Sequence, residues 1–282
     1  MTRPSLQEIV VGLRALPSPP TVVMELLQTM GQDEVDIHRL TRGISHDQAL
    51  AAHTLRVANS PFYGMQGRID TIGEAITVLG FVNVRSLVTT AGIAMAWPAS
   101  GAAGFVPRIF WRHSLGVAAC AATLAPFARL RPDPLFLAGL LHDIGRLVLV
   151  VTHPVAYAEI LQHRAQKDCL QLDAERAVLG FDHAQIGAEL CRHWRIPAPI
   201  AAAVERHHQV NPDAPELPAD MADVVHVADV LAHALDLADD PYALVPPPDS
   251  AAWQRLGLDE PALHLVLEQA ERHFNSFASI SG

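Results

Sequence analysis

The chain has 282 residues and a mass of 30.5 kDa, enough for one large domain or two modest ones around a full core. Half of the residues are hydrophobic, 18% are charged and the mean hydropathy is +0.20, a composition that excludes a disordered chain. The net charge of −10 is uneven, with 9 basic against 8 acidic residues up to Arg112 and 11 against 22 from His113 onward. No Lys/Arg cluster accompanies it, which argues against non-specific nucleic-acid binding, whose affinity comes from neutralised phosphates.

Along the chain, alanine and leucine recur at helical spacing and alternating patterns are scarce, so the expected fold is all-α. Leu13–Pro20 reads as a Pro-rich entry to an amphipathic run over Thr21–Met30. Asp36 can cap a short helix reaching Gly43, and Asp47 opens Gln48–Ala58. Asn59 to Gly64 is a turn by composition, with Asn59 suited to anchor it through its side chain. Thr71 with Glu74 has capping-box spacing and leads into Ala75–Leu79, which Gly80 ends. Val84–Trp97 follows.

Pro98–Pro107 reads as a linker between two subdomains, 1–97 and 108–282. Beyond it, helical patterns cover Arg108–Arg129, Pro134–Val151, Pro154–Gln166, Ala174–Leu179, Ala184–Trp194, Ala198–His207, Ala219–Leu237 and Glu260–Phe277. Asp182 with Gln185 is a further capping pair that puts His183 in a first turn. The segment Asp240–Ser250, with three consecutive prolines, reads as a loop.

No run of 18 residues stays apolar; Leu135–Val151 comes closest and is broken by His142, Asp143 and Arg146. Met1–Ser5 carries no signal-peptide pattern. Cys120, Cys169 and Cys191 are too few and too scattered for a disulfide framework or a thiolate metal site. These features lead us to expect a cytoplasmic protein of buried helices, away from membranes.

Chemistry is signalled by polar residues in apolar surroundings. His142-Asp143 interrupts the most apolar helix, where an unpaired carboxylate costs several kcal/mol or more. A bound cation would compensate, and so would a simple His–Asp hydrogen bond. His113, His183, His207-His208 and Asp229 also lie in apolar helical contexts, and imidazole with carboxylate suits Zn, Mn, Fe or Ni. His226, one turn before Asp229, could support that carboxylate but reads more readily as a surface residue, and His38, His46, His53, His153, His163, His193, His233, His264 and His273 read as non-ligands. Phe110 and Trp111 read as core aromatics.

The order His113, His142-Asp143, Asp229 resembles the H…HD…D arrangement of the HD superfamily of metal-dependent phosphohydrolases, with His142-Asp143-Ile144-Gly145 similar to its HDIG form. His183 and His207-His208 are similar to further ligand positions of the HD-GYP branch, which cleaves cyclic di-GMP. Leu16 to Pro20 and Val57 to Gly64, followed by Ile72 to Gly80, resemble the HDOD domain of bacterial signalling proteins; the likeness runs over about 13–237. The resemblance implies an N-terminal helical subdomain packed on a C-terminal HD-type bundle. It also implies divalent metal ions held by His113, His142, Asp143, His183, His207, His208 and Asp229. Ile109, where some HD-GYP members carry a ligating Glu, implies two ions, not three.

Two functions follow from the resemblance. One is a signalling or regulatory module that binds a protein partner or a nucleotide. The alternative is an active phosphohydrolase, with Asp143 bridging the ions and Arg146 clamping a phosphoryl oxygen.

Overall fold

The computed structural model describes residues 3–29, 36–59, 69–97, 102–209 and 217–278, and among them all regular structure is helical. An N-terminal subdomain is built from α1 (Leu6–Gly12), a 3-10 turn over Leu13–Ala15, α2 (Thr21–Gln28), α3 (Ile37–His46), α4 (Gln48–Ala58), α5 (Ile72–Leu79) and α6 (Phe81–Ala96). The expected caps are in place. Asp36 accepts from the Arg39 amide, Asp47 from Ala49 and Leu50, and Thr71 with Glu74 closes a full capping box. Gly80 turns the chain from α5 into α6 at φ 83°, a backbone conformation that a side chain resists.

Ser60 to Gly64, the core of the expected turn, lies outside the described residues, as does the first part of the expected linker. The anchoring role read for Asn59 is present. Its Nδ2 donates to the Leu55 and Ile69 carbonyls and its Oδ1 accepts from the Ile69 amide, tying Ile69 to the end of α4.

The C-terminal bundle comprises α7 (Pro107–Ala128), α8 (Pro132–Leu141), α9 (Ile144–Thr152), α10 (Pro154–Lys167), α11 (Gln171–Leu179), α12 (His183–His193), α13 (Ala198–Arg206), α14 (Met221–Ala234), α15 (Ser250–Leu256) and α16 (Glu260–Ala278). Helix α7 is its axis, with α8, α14 and α16 laid along it, while α12 packs on α9 and α13. Small residues make this possible: a Cβ on Gly139 of α8 would lie 2.8 Å from the Ala118 Cα of α7.

The two parts share one core. Trp97 stacks on Trp194 at 5.2 Å between ring centroids and donates Nε1–H to the Pro17 carbonyl; Gln28 donates to the Trp194 carbonyl. Arg85 of α6 forms a buried ion pair with Asp133 of α8.

One expected helix is divided. Pro134–Val151 is in fact α8 and α9, separated at His142-Asp143, because His142 Nδ1 donates to the Gly139 carbonyl at 2.7 Å in competition with the helical ladder. By length and hydropathy the combined stretch Pro132–Thr152 could cross a membrane, but 83% of its most apolar window is buried inside the fold. The pair α5 and α6 passes the same test only as a unit bent by 119°. Two helices, α1 and α15, carry no periodic signal long enough to read from sequence, being seven residues each.

Candidate metal centre

The break between α8 and α9 sets up the site. His142 caps the end of α8, and Asp143 stands at the N-cap of α9. Gly145, two residues on, is where α9 meets the start of α12: a Cβ there would lie 2.0 Å from the His183 carbonyl oxygen. Only glycine permits that approach, which leaves Asp143 Oδ1 3.0 Å from His183 Nε2.

His183 is the first residue of α12, behind the expected Asp182–Gln185 capping box. Its backbone N–H, one of the donors that a helix start leaves without a helical partner, is taken by Glu175 Oε2 at 2.8 Å. The same oxygen lies 2.6 Å from His183 Nδ1, which leaves Nε2 turned toward Asp143.

At the end of α13, His207 repeats the device of His142. Its Nδ1 donates to the Val204 carbonyl at 2.7 Å. A carbonyl can only accept, so Nδ1 carries the proton in both rings and the neutral Nε2 presents a lone pair. The fourth side is α7 and α14, where His113 Nε2 lies 3.2 Å from His142 Nε2 and 3.2 Å from Asp229 Oδ1. His208 Nε2 lies 3.0 Å from His183 Nε2.

All seven residues singled out in the sequence therefore meet in one place, in overlapping groups. Asp143, His183, His207 and His208 offer ligand atoms mutually within 4.8 Å, as do His113, His142 and Asp143. A further group, His113, Asp229 and His233, includes a histidine that the sequence reading set aside. His233 stands one turn after Asp229 with its Nε2 3.5 Å from Oδ1, and that i, i+4 spacing was the available signal. Glu175 was also missed, although it sits three residues before buried Val178 on the inward face of α11.

His226 corrects the surface reading. It is buried, its Nδ1 donates to the His207 carbonyl, and its Nε2 accepts from the Asp249 amide. It is a strut that fixes both the His207 backbone and the 240–249 loop.

Electrostatics divides the site by residue type. Burial pushes the Asp143 carboxyl up, but His142, Arg146 and His183 hold it well below the usual range. Asp229 is likewise held down, against burial, by His113 and His142. Burial and the neighbouring His142 and His183 push His207 down to about 3; burial and His113 push His233 down to about 4. His142 and His208 are also lowered by burial. In His183 burial is outweighed by Glu175 and Asp143, which raise it to about 10. Ionised Asp143 and Asp229 beside neutral His142, His207, His208 and His233 are the protonation states that metal ligation requires, whereas His183, held protonated by its two carboxylates, would have to release its Nε2 proton to join them.

Among the buried ligand-type atoms, His207 Nε2 has no hydrogen-bond partner, while Asp229 Oδ1 is approached by His113 Nε2 at 3.2 Å and His233 Nε2 at 3.5 Å. Leaving the His207 nitrogen unsatisfied costs about 1–3 kcal/mol, so the residue set fits a divalent ion. Arg146 donates to Asp143 Oδ2 at 2.6 Å and borders a cavity of about 360 Å³ that reaches His113, Asp143, His183, His208 and Asp229.

An all-helical fold with a His/Asp cluster at the meeting point of its bundle helices defines a class. The HDOD domain family model matches residues 16–210, and the chain belongs to that family. Solved structures share its fold. A candidate signal-transduction protein from Marinobacter aquaeolei VT8 is 22% identical with a TM-score of 0.79, over 100% of this chain and 62% of that one. An HDOD domain protein of unknown function from Geobacter sulfurreducens is 20% identical with a TM-score of 0.74, over 98% of each. A candidate phosphohydrolase from Shewanella amazonensis SB2B is 24% identical with a TM-score of 0.72, over 96% of each.

An uncharacterized protein of Treponema pallidum (strain Nichols) is 24% identical over 242 residues, which are 82% of this chain and 44% of that protein. The chain thus spans less than half the length of this curated relative.

Proposed function

We propose that the chain is a signalling or regulatory HDOD module built around a divalent-metal centre, with Zn, Mn, Fe or Ni as the candidate ions. Asp143, His183, His207 and His208 would hold one ion. His113, His142, Asp229 and the newly found His233 would hold a second, with Asp143 placed between the two. The observation that carries this reading is the buried, unpartnered Nε2 of His207 inside a group of ligand atoms mutually within 4.8 Å. Ions bound there would supply Lewis acidity toward a phosphoryl oxygen and offset its charge.

The chain's own residues supply the rest. Gly139 and Val204 fix the tautomers of His142 and His207 through their carbonyls, and Glu175 orients His183. Arg146 would clamp a phosphoryl oxygen beside Asp143. The ligand or partner read through the site is a nucleotide or a signalling protein. A cytoplasmic setting belongs to the same proposal, supported by three free thiols.

A second reading, hydrolysis of a phosphodiester or nucleotide, is favoured by the cavity that opens onto Arg146 and Asp143. The test begins with elemental analysis of the full chain reconstituted with each metal. About two equivalents per chain are expected, and they should be lost in His142→Ala/Asp143→Ala. Turnover of cyclic dinucleotides and simple phosphodiesters then separates the readings: silence in the loaded protein supports the regulatory one, while turnover abolished by Asp143→Asn supports hydrolysis. A folded protein that keeps no ion contradicts both.

A further inference from the structure

A second chamber, of about 830 Å³, adjoins the metal centre and shares with the smaller cavity a lining that includes His113, Arg146, Arg164, His233 and Asp240. Its walls are of another character. Phe105, Ile109, Phe110, Tyr157 and Leu161 line it. Phe105 meets Phe110 at 5.6 Å and the edge of Tyr157 at 5.8 Å, so the wall is a connected aromatic cluster. Ile109 stands one turn before His113, so an aliphatic side chain reaches the chamber from the same helix that carries a candidate ligand.

The shared mouth carries two cations. Arg146 has its Nε buried without a hydrogen-bond partner, and Arg164 donates to the Tyr242 carbonyl, which holds the outer wall in place. Asp240 lines the shared mouth beside these cations, and Asp168, which lines the chamber alone, would repel a second phosphate. The aromatic wall offers ring faces and few donors or acceptors for the polar edge of a nucleobase.

We propose that this chamber is a subsite for the aryl group of a phosphate monoester whose phosphoryl end lies at the metal centre between Arg146 and Arg164. The inference rests on the reading that the centre takes metal and a phosphoryl group, and it puts an aryl phosphate in place of the nucleotide in that reading.

The test is calorimetric binding of methyl, phenyl and 1-naphthyl phosphate, with adenosine monophosphate as comparison, to the metal-loaded full chain. Naphthyl phosphate should bind at least about tenfold tighter than methyl phosphate, in proportion to the apolar area buried. Ile109→Trp, or Ala165→Trp on an exposed position of the wall, should erase that preference; retained metal content shows that each variant has folded. Equal affinity for methyl and naphthyl phosphate, or tighter binding of adenosine monophosphate than of naphthyl phosphate, overturns the subsite. Failure of every phosphate to bind would instead overturn the reading of the centre on which it rests.

Discussion

His142 and His207 solve the same problem with the same three atoms. Each ends a helix, gives its Nδ1 proton to the carbonyl three residues back at 2.7 Å, and so points a free Nε2 lone pair inward. His183 is fixed in another way, with Glu175 Oε2 accepting from both its ring Nδ1 and its amide and Nε2 facing Asp143. Replacing Glu175 by alanine would strand both of those buried donors. We expect Glu175→Ala to cost about 2–4 kcal/mol in urea unfolding and to weaken metal affinity by about 10- to 100-fold in a chelator competition. Glu175→Gln, which can still accept from the amide, should recover part of the stability but less of the affinity. Unchanged metal affinity in both variants would show that Glu175 is only structural.

At this scale the sequence was legible where a polar group broke an apolar pattern. His113, His142, Asp143, His207 and Asp229 stood out for that reason, and all are buried. Glu175 escaped because α11 carries enough polar neighbours to hide it, whereas His233, among Leu231, Ala232, Ala234 and Leu235, was overlooked near the end of the same apolar helix as Asp229. His226 was misread because a single ring with hydrogen bonds on both sides looks, in sequence, like any solvated histidine.

Helix ends, more than helix faces, build the centre. The end of α8, the start of α9, the start of α12 and the end of α13 converge, and their caps decide where the ligands stand. Asp182 accepts from the Gln185 amide and pairs with Arg176, so Asp182→Ala should cost about 1 kcal/mol or more in thermal or urea unfolding. Gly145→Ala is the sharper test of geometry. Its Cβ would meet the His183 carbonyl, forcing α9 and α12 apart at a cost of about 3 kcal/mol or more. Asp143 would move away from His183 with it, so metal stoichiometry should fall even in the fraction that folds. Full metal content in folded Gly145→Ala would contradict this account of the approach.

Capping pairs such as Thr71–Glu74 and Asp182–Gln185 were readable because their chemistry is local. The division of Pro134–Val151 was not. It depends on the His142 ring competing for one carbonyl, and the apolar residues resume on the far side of His142-Asp143 with no turn residue between to mark a helix end.

Across the whole molecule, the N-terminal subdomain and the bundle meet at α12, the helix that also carries His183. Trp97 and Trp194 form that junction, both almost fully buried, with Trp97 anchored to the Pro17 carbonyl. Trp97→Ala should destabilise the fold by about 3–5 kcal/mol in urea unfolding followed by fluorescence. Metal content of the folded fraction should stay unchanged, because the tryptophan touches no ligand. Loss of metal there would instead mean that the subdomain contact holds α12 in its ligating position. The pairing of Trp97 with Trp194 spans nearly a hundred residues, and no local pattern announces it.

The central claim is that these helix ends jointly grip metal, and anomalous diffraction from crystals of the metal-loaded full chain measures that directly. We expect peaks inside the cluster, at about 2.0–2.2 Å from His207 Nε2 and from Asp229 Oδ1. A loaded crystal with anomalous peaks only on the surface, and none within bonding distance of those two atoms, would contradict the account.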